Sequence, residues 1–428
     1  MAVPTIVKIA NMNTKEDLHE EPAQIENLTH DDDFGEITDE GPNFRNDGFV
    51  GTIILMMKTQ IGLVLDMVPG IICLLAMAVI TTWSGYIIGA FKLQHREVYS
   101  IDDAGGIMFG LPGRVVLSTA FCLYYVFNSG SAILGISIGL NAVSTHATCT
   151  AVSVAVAAIV GFLMTSVRYT DHILTLSVVI VTIAVGVQDR PAAAPRTEGP
   201  WVSDWRVAGN PTFTEGIERF QIFFLPSRGR LMRDPRKYTT AMVCCQAGVT
   251  IIYPVIGCIV YCYCGSYVSS PALGSAGDFL QITTNLYSAD FSSYIPAKFI
   301  FVHLLRGSRH LNSNTPTHWL TWLGCTFGLT LIAWIIASTI PVFDSLVSLI
   351  GALLGPVMCI QPMGAMGADT GKMSKKWMLL STWSVFLVIL GSFLMVAGTY
   401  GSIRGILDSY AASGGSAAFS CKDNSNSV

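Results

Sequence analysis

From residue 49 to residue 401 the chain alternates apolar blocks with short polar or proline-rich segments. A helix that crosses a hydrocarbon core of ~30 Å needs about 20 apolar residues. Seven blocks reach that length: 67–91, 115–141, 147–166, 241–264, 319–340, 343–366 and 377–400. Four more, at 49–66, 172–187, 217–226 and 295–305, are short or interrupted by polar residues. Counting the short ones gives eleven spans; discarding them gives seven.

Basic residues decide between the counts, because the cytosolic loops of membrane proteins are enriched in Lys and Arg. With eleven spans and the first tail inside, 17 of the 25 Lys and Arg fall on the inner face and 5 on the outer, while Lys58, Arg219 and Lys298 fall within short spans. With seven spans the better orientation gives only 15 inside against 10 outside, and it strands Lys372, Lys375 and Lys376 on the wrong face. Eleven spans are therefore expected. This layout makes 188–216, with its Asp189-Arg190-Pro191 turn, an outer connection, and 265–294, which has no Lys or Arg, another.

Composition points the same way: 51% of residues are hydrophobic and only 13% charged, too few charges to coat a soluble globule of 428 residues. Residues 1–46 form the exception, with 11 acidic residues against Lys8, Lys15 and Arg45 and no apolar run. They read as a disordered acidic cytosolic tail, without the hydrophobic region of a secretory signal. The transmembrane domain then covers 47–401, and 402–428 is a short extracellular tail. Most of the eleven cysteines lie inside apolar runs and act as small hydrophobes. Cys149, Cys264 and Cys421 fall where the outside is expected and a disulfide is allowed, and the sequence does not choose a pairing.

The first span carries the most informative interruption. It begins apolar at Phe49, meets Lys58, Thr59, Gln60, Gly62 and Asp66, and runs into Pro69. A helix broken inside a bilayer is tolerated only where protein or a water-filled cavity surrounds it. Transporters build substrate sites at such breaks, since half-helix N-termini suit a carboxylate and exposed carbonyls suit an ammonium group. Thr59, Gln60, Ile61, Gly62 and Leu63 would supply that backbone to a zwitterion; the competing reading is that Gly62 only eases helix packing. In the third span Tyr124 and Tyr125 are candidates to cover the substrate, against the alternative of plain packing, and the following Gly130, Ser131, Gly135 and Gly139 suggest a close helix contact. Asp66, Arg219, Lys298 and His303 are ionisable residues within spans and so functional candidates, His303 as a proton relay or as an interfacial side chain. No nucleotide-binding loop, metal-spaced His pair or nucleophile elbow is present, so neither an enzyme nor a cofactor is expected. The short basic clusters lie against the membrane and give no support to nucleic-acid binding.

Several stretches resemble fungal neutral amino acid permeases of the amino acid/auxin permease family. They are Gly41-Pro42-Asn43-Phe44-Arg45, Met57 to Leu63, Gly139-Leu140-Asn141-Ala142-Val143, Gly186 to Pro191, Arg233 to Tyr238, Ile295-Pro296-Ala297-Lys298 and Thr315 to Trp319. The resemblance implies an all-α integral membrane protein of eleven helices, built as an inverted five-helix repeat like that of sodium-coupled amino acid carriers. It also implies uptake of neutral amino acids with protons, across the plasma membrane or a vacuolar membrane. Departures accompany it: Val64 and Asp66 break the family's glycine pattern in span 1, and 218–231 replaces the expected aromatic stretch of span 6. Spans 1, 5, 6 and 8 look shortened. A non-transporting remnant of the family, or a receptor-like sensor, is the competing reading.

Overall fold

The computed structural model describes residues 30–31, 35–36, 67–95, 98, 100–144, 147–166, 201–206, 238–265, 278–311, 315–340, 343–368, 375–413 and 419–421. Among these, apart from two paired two-residue strands, β1 (His30–Asp31) and β2 (Gly35–Glu36), regular structure is helical. That antiparallel pair lies within the segment expected to be disordered. The helices are α1 (Met67–Gln94), α2 (Ile101–Val143), α3 (Thr150–Ser166), α4 (Tyr238–Cys264), α5 (Asp278–Leu305), α6 (Pro316–Thr339), α7 (Phe343–Cys359), α8 (Gln361–Ala368) and α9 (Lys375–Ser413). Among the described residues, four apolar segments are long enough to cross a membrane: 101–141, 316–339, 346–366 and 381–408; 78–91 and 150–166 are shorter apolar helices.

Local chemistry sets several of the boundaries. Thr315 caps α6, its hydroxyl accepting the His318 amide at 3.4 Å, and Pro316 occupies the first turn, where a missing N–H costs nothing. α6 stops before Pro341. The third apolar block, expected over 115–141, belongs to a helix that starts at Ile101 and is broken at Gly110, whose φ of 67° suits a residue without Cβ. Pro112 then begins the second arm. The first arm, 101–109, folds back on the second: a Cβ added to Gly113 would lie 2.5 Å from the Gly105 carbonyl oxygen. Only glycines let the arms approach so closely.

One expectation needs correction, and two others gain detail. The eighth span is not short: α5 runs 28 residues, so 278–294 is helix and not outer loop. Its N-terminal half carries Gln281, Thr283, Thr284, Asn285, Ser292 and Ser293, which lower the hydropathy. The polar groups of its middle are spent on a neighbouring helix instead of facing lipid, as Asn128 donates to Ser292 at 2.6 Å and the Ser129 and Ser293 hydroxyls meet at 2.5 Å. The tenth span, expected over 343–366, is present as one apolar segment at 346–366, with a turn at Ile360 between α7 and α8 across which the Ile360 amide still donates to the Pro356 carbonyl at 3.0 Å. Pro356 and Pro362 flank the turn and each withholds a backbone donor. The last helix continues to Ser413, so 402–413, the start of the expected tail, is helical. Spans 1, 5 and 6, at 49–66, 172–187 and 217–226, lie outside the described residues.

The packing centres on α2 and α5. Among the described residues, the largest buried cluster joins Ile133 and Ile136 of α2, Ala157 of α3, Phe301 and Val302 of α5, and Trp322, Leu329 and Ala333 of α6. α2 meets α5 through Asn128 and Ser129, immediately before the Gly- and Ser-rich stretch of α2. At one end of this bundle Asn141 donates to Thr150 at 2.9 Å and accepts from Ser153 at 2.7 Å. At the same end Cys149 is bonded to Cys421, the Phe419 amide donates to the Ser338 carbonyl at 2.9 Å, and the Phe419 ring packs edge-on to Trp334. The disulfide thus ties residues 419–421 to the ends of α3 and α6.

Serine at Cys149 or Cys421 is expected to lower stability by about 2 kcal/mol, the lower end of the usual range because a bilayer already confines both chain segments. The check is the temperature at which the detergent-solubilised protein aggregates. Equal melting, or equal maleimide labelling before and after reduction, counts against the bond.

Candidate functional site

Two linked regions carry the polar and aromatic chemistry of the described residues. The first contains the tyrosines proposed from sequence. Tyr124 and Tyr125 point into a cluster with Phe121 of α2, Ile295 and Phe299 of α5, and Met358 of α7. Tyr125 is fully buried and Tyr124 nearly so. Their rings meet edge to face at 5.3 Å, Tyr125 lies 4.9 Å from Phe121, and Phe121 lies 4.8 Å from Phe299. Both side chains therefore pack where three helices converge. Thr59, Gln60, Ile61, Gly62 and Leu63 lie outside the described residues, as do Asp66 and Arg219, so these are not brought together with the tyrosines by anything described. Lys298 is half-buried on α5.

The second region lies at the other end of the bundle from the disulfide, where the first arm of α2 crosses the C-terminal turn of α5. Asp102 and Asp103 are 1% and 4% exposed. Burying two adjacent carboxylates is costly unless each is paired and hydrogen-bonded. Asp103 takes Arg114 at 2.6 Å from the second arm of α2 and Arg306 at 3.1 Å from the end of α5. Asp102 accepts from the Ser100 hydroxyl and faces His303 Nε2 at 3.0 Å. His303 Nδ1 faces the Phe299 carbonyl, also at 3.0 Å. Arg114 and Arg306 line a cavity of about 370 Å³ together with Asp103, Gly106, Gly110 and Leu111.

Sequence reasoning singled out His303 but missed its partners. Asp102 and Asp103 stand in a connection otherwise flanked by Lys92, Arg96 and Arg114, and an acidic pair in a basic inner loop was the available signal. What could not be read was that the connection is helical and folds onto a helix some 200 positions later, the separation of Asp102 from His303 being 201.

Replacing Asp103 with asparagine is expected to cost about 1 to 2 kcal/mol, discounted for exposure because the two guanidinium side chains are 48% and 33% accessible. A thermal-stability double-mutant cycle with Arg306→Gln checks it. Additive losses would mean that the pair contributes nothing as a pair.

Comparison with known proteins agrees with the motif reading. Residues 222–404 match the profile of a family described as "Transmembrane amino acid transporter protein". A "Transmembrane transporter" of Gibberella moniliformis is 28% identical over 91% of this chain and 90% of its own length. The "N amino acid transport system protein" of Neurospora crassa is 28% identical over 81% of this chain and 80% of its own. Among solved structures, a Na+-coupled sialic acid symporter in a substrate-bound outward-open state overlaps 84% of this chain and 91% of that one, at a TM-score of 0.43 and 14% identity. The resemblance to fungal amino acid transporters is thereby borne out, and the chain is an integral membrane protein similar to transporters.

Proposed function

We propose that this chain is a secondary active carrier of neutral amino acids, driven by protons and working by alternating access. The observation that carries the reading is the match of 222–404 to amino acid transporters, joined to relatives whose similarity extends over nearly the whole chain. Transport needs no covalent chemistry; it needs a site that opens to each side in turn. The substrate site in this reading lies at the junction of the first and sixth spans, within an inverted five-helix repeat. Backbone of Thr59 to Leu63 holds the zwitterion, and Tyr124 and Tyr125 cover it from α2.

The proposed orientation, with the first tail inside and eleven spans, puts Arg114, Arg306 and Arg309 in the cytosol and the Cys149–Cys421 end outside. That orientation is supported by the disulfide, since such bonds persist on the oxidising side. The plasma membrane is the proposed location. Uptake of radiolabelled leucine or phenylalanine by proteoliposomes holding the purified chain tests the function. A pH gradient, acid outside, should drive accumulation, and a sodium gradient alone should not. Absence of uptake under both gradients would favour the non-transporting remnant, and sodium-driven uptake would replace the proton as coupling ion.

A further inference from the structure

The first arm of α2 is built like a strap. It is nine residues long, hinges on Gly110 in a backbone conformation that favours glycine, and folds across the end of α5. Two neighbouring carboxylates on this arm hold it there, and they bind chemically different partners. Asp103 is clamped by two guanidinium groups, which stay charged at any physiological pH. Asp102 is held by an imidazole, which does not.

The hydrogen-bond geometry around that imidazole is selective for one protonation state. Both nitrogens of His303 face acceptors, a backbone carbonyl on one side and a carboxylate on the other. A neutral ring has one N–H and one lone pair, so it can satisfy one of these partners only. The imidazolium satisfies both. The charged groups that face the ring are Asp102 and, behind it, Asp103 on the strap, with Arg306 three residues on along its own chain and Arg114 beyond Asp103. His303 is about one-third accessible, which lets its proton exchange with water at this end of the bundle.

The same ring also begins a column of aromatic contacts. His303 lies 4.3 Å from Phe299, Phe299 lies 4.8 Å from Phe121, and Phe121 lies 4.9 Å from Tyr125, which touches Tyr124. Ring contacts thus run without a gap from His303 to the pair proposed to cover the substrate.

We propose that the arm 101–109 is a latch over the inner end of the carrier, that Asp102 and His303 are its catch, and that cytosolic protons set it. With His303 charged, the catch is complete and the inner end stays closed. When the ring loses one proton to water, its remaining hydrogen serves only one of the two acceptors: on Nε2 it leaves Nδ1 facing the Phe299 carbonyl, on Nδ1 it leaves a lone pair facing the Asp102 carboxylate. In both tautomers Asp102 no longer faces a cation, so the catch loses its charge assistance and the strap opens more readily, with the Asp103 contacts left to guide its return. An acidified cytosol therefore slows the inward-opening step, which limits a carrier that itself brings protons in. The sidedness and the carrier role in this statement rest on the function proposed above; the latch itself rests on the geometry.

Hydrogen exchange of the 101–109 amides in the full-length protein, held in lipid nanodiscs, reads the latch without reference to transport. Comparing wild type with His303→Gln at each pH cancels the intrinsic pH dependence of exchange. The ratio of wild-type to variant rates should rise roughly tenfold between about pH 6 and about pH 9, a window extended upward because the Asp102 carboxylate beside the ring favours its charged form, as a charge-assisted bond is lost. The same comparison against Asp102→Asn should give the same rise and serves if the glutamine variant does not fold. A ratio that stays flat against both variants overturns the latch. In a second arm, leucine uptake by cells whose cytosol is clamped at about pH 6 should fall several-fold below that at about pH 8 in wild type and stay level in the variant. A fall of equal size in the variant overturns the regulatory role. If no leucine enters under any condition, the carrier reading fails and the exchange ratio still decides the latch.

Discussion

Uptake is expected to disappear when Gly62 is replaced by tryptophan, while the chain still inserts into the membrane. In the proposed site the substrate's ammonium and carboxylate are held by bare backbone groups, and a ligand can approach a backbone that closely only where no side chain intervenes. An indole at residue 62 would fill the space reserved for the amino acid. It would also add apolar bulk to a span that is short of it, so insertion should be preserved or improved. Leucine uptake measured beside surface labelling of the same cells separates the outcomes. Unchanged uptake would remove residues 59–63 from the site, and loss of both uptake and surface labelling would indicate a folding defect instead. Alanine at the same place tests the competing packing role, since a close helix contact tolerates a methyl group better than a substrate pocket tolerates an indole.

Trp322→Ala is expected to destabilise the bundle by about 3 kcal/mol. Trp322 is 1% exposed and meets Tyr294 and Phe301 edge-on at 5.4 and 5.6 Å, within the cluster that joins α2, α3, α5 and α6. In a membrane protein the removed surface is not returned to water, because lipid tails are as apolar as the protein interior. The loss comes instead from the unfilled volume and from dispersion contacts that no neighbour can replace. The figure therefore sits at the lower end of what the substitution costs in soluble cores. Thermal aggregation of the solubilised protein should show the drop, and Trp322→Phe, which keeps much of the volume, should recover a large part of it. A shift no larger than that of a lipid-facing control such as Leu320→Ala, at a side chain 75% exposed, would show that the cluster does not hold the helices together.

The pattern of apolar blocks was a good guide where a helix faces lipid. The blocks at 319–340 and 377–400 correspond closely to α6 and to most of α9, because lipid-facing side chains must be apolar along the whole crossing. It was a poor guide to α5. Ser292 and Ser293 are polar because they meet Asn128 and Ser129, and a hydropathy window cannot distinguish a serine turned toward a partner helix from one in a loop. The same blindness hid the strap. Residues 101–109 are too polar to count as a span, and their reason for being helical lies in Arg114, His303 and Arg306.

The amino-acid order alone determined that this is a membrane protein of many helices, which chain ends are polar, and which family it resembles, since each of these depends on composition and spacing along the chain. It could place Cys149 and Cys421 on the same side of a membrane and name His303 as a titratable group near one face. That the two cysteines are joined, that Tyr124 and Tyr125 pack against Phe121 and Phe299, and that a buried carboxylate waits for His303 were decided by the tertiary structure. Each of these depends on residues far apart in the chain meeting within a few ångströms, and local propensity carries no information about which helices become neighbours.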